Sequence, residues 1–186
     1  MYKFIIRIII LFGFNTKSNA QYSGMSFEVH YPIIFSNEGN TYSDSQGVLG
    51  GALQYQFTDN IPYNFGVEYK FDLIQTIEQL SEYSEPTKRN FLISNINVFG
   101  KMLFITVPEL QLYVTGGFSQ YKYKGSETTP SYLGFNIGGG LSYDIYDSIY
   151  MLSSYSFIKT SQKSFSGDYK SDETNQLIRV GFGFKF

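Results

Sequence analysis

From residue 24 onward, apolar side chains recur at every second position. That is the period of a β-strand whose two faces meet different surroundings. The last stretch shows it plainly: Ile178, Val180, Phe182, Phe184 and Phe186 share one face, and Arg179, Gly181, Gly183 and Lys185 share the other. Residues 24–35 set Met25, Phe27, Val29, Tyr31, Ile33 and Phe35 against Ser26, Glu28, His30 and Pro32, with Ile34 interrupting the polar face. The same alternation predicts strands over 47–57, 63–73, 91–104, 110–121, 132–143, 149–159 and 176–186. Residues 63–73 are the cleanest, with Tyr63, Phe65, Val67, Tyr69, Phe71 and Leu73 opposed to Asn64, Gly66, Glu68, Lys70 and Asp72. Residues 91–104 are mixed, because Phe91, Ile93, Phe99 and Leu103 fall on the face of Asn95, Asn97 and Lys101, so register there stays open.

Eight strands of this length suit a tilted crossing of a bilayer. Their connections alternate. Residues 37–46, 75–90, 124–131 and 161–175 are long and polar, whereas the links at 58–62, 107–109 and 144–148 are short. The early part of 75–90 suits a short helical turn, ended by Pro86. An all-β, eight-stranded antiparallel up-and-down transmembrane barrel explains this rhythm, with the four long loops at one end.

A soluble, secreted lipocalin-like barrel would alternate in the same way, with its apolar face turned inward around a ligand. Its outer face would meet water and carry charge. Here the polar face of 132–143 is Gly134, Asn136, Gly138, Gly140 and Ser142, and that of 110–121 is Gln111, Tyr113, Thr115, Gly117 and Ser119. Small uncharged groups fit a crowded interior, and large Phe and Leu fit lipid, so the reading places lipid outside. The inward charges then need partners. Glu28, Glu68 and Asp72 can offset Lys70, Lys101, Arg179 and Lys185. Strands one and eight meet if the barrel closes, which makes Glu28 and Arg179 candidate neighbours. The expectation is a salt-bridged polar plug, too narrow for a general diffusion pore.

The first twenty residues refine the picture. Lys3 and Arg7 precede an apolar run over 8–14, and Ser18, Asn19 and Ala20 put small residues where a signal peptidase cuts. Cleavage between Ala20 and Gln21 is expected, leaving 21–186 as one barrel domain. It removes three cations (Lys3, Arg7, Lys17), taking the formal charge from −2 to −5. That balance gives no case for nucleic acid. The chain has no Cys. An exported protein without disulfides must draw stability from closure or from its core. Aromatic residues make up 19% of the chain, with 17 Tyr, 18 Phe and no Trp, which favours strands and Tyr-rich interfaces.

Candidate chemistry is sparse. His30 is the single histidine. A lipid-modifying enzyme would use it as a base beside Ser26 or Ser156, but a packed interior histidine is the favoured reading. No paired-His or CxxC spacing suggests a metal, and no cofactor is expected. Gly138, Gly139 and Gly140 lie within a strand, without the helix and Lys of a phosphate loop, and serve to relieve crowding. The acidic residues of 75–90 read as a solvated loop.

The eight alternating strands, the long and short loops and the closing Val180-Gly181-Phe182-Gly183-Phe184-Lys185-Phe186 resemble the small eight-stranded outer-membrane β-barrels of OmpA/OmpX type and the outer membrane protein β-barrel domain family. The resemblance covers about residues 23–186. It implies residence in a Gram-negative outer membrane, contact with outer-membrane lipid, and recognition of Phe186 by the barrel-insertion machinery. It implies no common reaction. The chain ends at Phe186 without the peptidoglycan-binding domain that follows the barrel in full-length OmpA-like proteins, so cell-wall anchoring is not expected. The expected role is structural, adhesive or surface-binding, by a monomer whose unknown extracellular partner meets the four long loops.

Overall fold

The computed structural model describes residues 24–36, 42–57, 63–79, 87–104, 106–124, 131–161 and 172–186. The expected signal peptide, its cleavage site at Ala20 and Gln21, the short link 58–62 and the central parts of the four long loops lie outside the described residues.

Eight strands form: β1 (Met25–Ser36), β2 (Tyr42–Gln56), β3 (Tyr63–Gln79), β4 (Thr87–Phe104), β5 (Val107–Lys124), β6 (Ser131–Tyr146), β7 (Ile149–Ser161) and β8 (Asp172–Lys185). Each pairs antiparallel with its sequence neighbour, and β1 pairs with β8 from Ser26↔Lys185 to Ser36↔Asn175, so the sheet closes on itself. Closure removes the edges that an open sheet would leave unpaired.

The apolar face points outward. Phe118 is 78% exposed, and Ile96 and Val98 are each 66% exposed. Glu28, Glu68, Asp72, Lys70, Lys101 and Arg179 are buried. The lipocalin-like alternative is overturned by this orientation, because its ligand cavity needs the apolar face inside. β4 is settled too: Ile96 and Val98 face out, while Phe91, Ile93 and Phe99 turn inward with Asn95 and Asn97.

The strands outrun the apolar alternation. β3 holds 17 residues and β4 and β5 hold 18 each, whereas crossing a bilayer needs about 9–11. Residues 42–46, 75–79, 87–90 and 172–175, expected in loops, continue the ladders. The proposed helical turn in 75–90 is replaced, over 75–79, by strand. Beyond the lipid both faces of a strand meet polar surroundings, so its outer face no longer needs apolar residues and the signal fades while the pairing persists.

The link expected at 107–109 is corrected similarly. Val107, Pro108 and Glu109 belong to β5, and the turn comes at Thr106. Pro108 is tolerated because the β4–β5 register jumps from Leu103↔Gln111 to Phe104↔Val107 and pairing with β6 begins only at Leu110, so no rung asks for its missing N–H.

Val98→Arg places a cation in the lipid-facing band at mid-barrel. It should cost about 2–4 kcal/mol, read as a shift in the guanidinium unfolding midpoint of protein folded into liposomes.

Candidate functional site in the barrel interior

Strand pleating sends alternate residues into a lumen that, at eight strands, has room for side chains alone. Two inward glycines show how tightly it is filled. A β-carbon at Gly183 would fall on the Tyr150 ring, and one at Gly66 would meet both the Phe99 ring and the Tyr55 carbonyl. The inward residues sort into a polar layer towards the short turns and an apolar layer towards the long loops.

Arg179 anchors the polar layer. Its Nε donates to Asp72 Oδ1 at 2.9 Å and to Oδ2 at 3.2 Å, one Nη reaches Oδ2 at 2.7 Å, and the other donates to Ser156 Oγ at 2.6 Å. His30 Nε2 lies 2.9 Å from Asp72 Oδ1. One carboxylate thus ties β1, β3 and β8 together through charge-assisted bonds. The expected Glu28–Arg179 pairing does not occur. In the β1–β8 ladder Arg179 sits opposite Pro32 and Glu28 opposite Gly183, four residues apart along each strand. Adjacency of strands was correctly read, but stagger decides which side chains meet.

Glu28 instead accepts from Gln54 Nε2 at 2.7 Å and Tyr150 Oη at 2.9 Å. Glu68 accepts from Asn97 Nδ2 at 2.7 Å, Thr115 Oγ1 at 3.1 Å and Gln54 Nε2 at 3.1 Å, with Lys70 Nζ 3.2 Å away. Gln54 Oε1 accepts from Lys101 Nζ at 2.8 Å and Ser26 Oγ at 3.2 Å. All four hydrogen-bonding positions of the Gln54 amide are therefore used. It links two carboxylates to one ammonium. Sequence reasoning passed over Gln54 as one polar residue in a strand; its register opposite Glu68 in β3 is what makes it a hub. The buried formal charges Glu28, Glu68 and Asp72 balance Lys70, Lys101 and Arg179. Lys185, at the short-turn end, pairs with Asp144 at 2.7 Å. Below the layer a vestibule of about 640 Å³ opens among Gln54, Lys101, Asp144 and Lys185.

The apolar layer was not expected. Ile34, Ile74, Phe91, Ile93, Tyr121, Tyr132, Ile158 and Leu177 form one buried cluster inside the barrel, with Phe91 and Tyr121 stacked at 5.7 Å between centroids. Part of its sequence signal was present: Ile34, Phe91 and Ile93 were among the residues that broke the alternation.

Neither hydroxyl considered for His30 is bonded to it. Its Nε2 is spent on Asp72, Ser156 is held by Arg179, and Ser26 donates to Gln54. At the seam of closure the Phe186 N–H donates to the Met25 carbonyl at 2.9 Å.

The family described as outer membrane protein beta-barrel domain matches residues 9–186. The chain belongs to that family. Among solved structures it is similar to Neisserial surface protein A (14% identity, 91% of this chain and 100% of that one, TM-score 0.56) and to OprG from Pseudomonas aeruginosa (10%, 89% and 97%, 0.55). It is also similar to Ail, the attachment invasion locus protein of Yersinia pestis, in complex with the heparin analogue sucrose octasulfate (14%, 88% and 97%, 0.54). At these identities the likeness is one of fold. No curated protein sequence matches. As a member of this family, with its apolar face outward, the protein resides in the Gram-negative outer membrane.

Arg179→Met strands Asp72 without its cation and should cost about 3–5 kcal/mol of unfolding free energy. In double-mutant cycles Asp72 and Arg179 couple strongly, and Glu28 and Arg179 do not. Gln54→Leu leaves buried groups unsatisfied at about 1–3 kcal/mol each, read in the same denaturation assay.

Proposed function

We propose that this outer-membrane barrel is a non-conducting, non-enzymatic scaffold whose role, adhesive, surface-binding or structural, is carried by its long-loop end. The observation behind this reading is the double closure of the lumen, by paired charges at one level and packed apolar side chains at the next. Ions entering from the short-turn end meet the charged layer, and ions entering from the other end meet the apolar one. His30 is only 2% exposed, which keeps it from any substrate and supports a role without catalysis.

What remains available to partners is the polar rim and the long connections at 37–41, 80–86, 125–130 and 162–171, the parts of the expected loops that the strands leave over. Ail is an attachment invasion locus protein and forms a complex with a heparin analogue, which makes sulfated polysaccharide a reasonable first ligand to try. Recognition of Phe186 by the insertion machinery, cleavage after Ala20 and a monomeric state complete the proposal.

Purified protein in planar bilayers should give no steady single-channel current, and stable openings would overturn the non-conducting assignment. Replacing all four loops with two-residue turns should abolish binding of cells to immobilised host-surface components. Outer-membrane recovery and the heat-dependent SDS gel shift should be unchanged. Retained binding would return the role to the barrel wall.

A further inference from the structure

The lumen is plugged above, but its short-turn end is hollow. The vestibule there, about 640 Å³, falls in the range of clefts that hold small ligands, about 300–1,000 Å³. In the outer membrane the short turns face the periplasm. Ser26, Gln54, Asn64 and Gln111 line the cavity, and none is more than 8% exposed. Its walls are therefore polar groups held in place by the sheet.

The charged groups of the vestibule form a series. The Lys101 ammonium lies 5.4 Å from the centre of the Tyr150 ring, and the Lys185 ammonium lies 5.6 Å from the same centre. Asp144 Oδ2 follows, 2.7 Å from Lys185 Nζ. Asp144 stands where the β6–β7 register slips, between Asp144↔Tyr150 and Tyr146↔Ile149, and such a bulge re-aims a side chain.

Both ends of the series have capacity left over. Asp144 accepts from Lys185 and, at 3.1 Å, from Gln111 Nε2, each time through Oδ2. Its Oδ1 is buried and has no hydrogen-bond partner among the described residues. A buried carboxylate oxygen without a donor is costly, and an incoming N–H would satisfy it. At the other end, an ammonium has three hydrogens, and Gln54 Oε1 takes one from Lys101. The Phe99 and Tyr150 rings stand over the same cation, a weaker attraction than a carboxylate offers.

Charge selects the ligand. Glu109 and Asp147 also line the vestibule and are exposed, so a simple anion is repelled at the mouth. A simple cation is repelled further in by Lys101 and Lys185. A molecule with an ammonium at one end and a carboxylate at the other meets both demands. Between those ends the lining offers side-chain amides, as from Gln111, and apolar surface, as from Met25 and Leu103, which suits a peptide. Extended peptide advances about 3.3–3.6 Å per residue, so two or three residues suit the steps of the series. We propose that the vestibule binds short zwitterionic peptides from the periplasm, the α-amino group on Asp144 Oδ1 and the α-carboxylate on Lys101. This site lies at the opposite end from the long loops and does not depend on their role.

The chain has no Trp, so Leu103→Trp places a single indole in the vestibule. Titrating the folded protein in detergent with trialanine should give a saturable change in emission. N-acetyl-trialanine and trialanine amide should each bind at least tenfold more weakly, about 1.4 kcal/mol. In Asp144→Asn the preference for a free amino group should vanish while that for a free carboxylate persists, and Lys101→Met should show the converse. The heat-dependent gel shift certifies folding. The end-blocked peptides need no change at either charge, so the comparison stands even where Lys101→Met does not fold. Calorimetry on the unaltered protein repeats it without the reporter. Phosphorylethanolamine, with the charges of a lipid headgroup, should compete more weakly than trialanine; stronger competition would assign the vestibule to a headgroup and overturn the peptide reading. Absence of saturable binding, or equal affinity for trialanine and its end-blocked forms, would also overturn it.

Discussion

Hydrocarbon offers no hydrogen-bond partner to a peptide group, so every N–H and C=O in the membrane must be satisfied within the protein. For a chain that crosses with strands, that requirement leaves a closed sheet, and the rest of the molecule follows from it. Closure makes an inside and an outside. The outside must be apolar, which occupies every second residue. Polar and charged side chains within the membrane then have only the lumen to go to, whether or not a function asks for them there.

The lumen is accordingly organised by charge balance. Three carboxylates and three cations are buried together, and their arrangement is less a set of salt bridges than a network with one neutral member at its centre. Gln54 joins Glu28, Glu68 and Lys101, doing with an amide what direct ion pairing would do only for two of them. Arg179 and Asp72 form a forked ion pair at the boundary between the polar and apolar layers. The β1–β2 ladder, which runs from Met25↔Tyr55 to His30↔Gly50, ends at that level.

Much of the fold could be read along the chain because a strand's two faces obey a local rule. Phe65, Val67 and Tyr69 announce lipid, and Gly66, Glu68 and Lys70 announce the lumen, with no knowledge of their neighbours. The rule failed where its physical cause lapsed. Above the membrane Gln75 to Gln79 remain in β3, but no lipid demands apolar residues there. In β4, Phe91 and Ile93 looked like errors of register and proved to be the apolar lumen layer.

Sequence by itself determined the strand count, the lipid-facing side, the inward charged residues and the rhythm of long and short connections, because each depends on period two and on the chemistry of single positions. Only the tertiary structure decided that Arg179 meets Asp72 and not Glu28, that Gln54 is shared by three charges, and that the β1–β2 ladder ends at His30. Those facts depend on the stagger between strands distant in sequence. Backbone pairing can accept several staggers, and the choice among them rests on how all eight faces pack at once.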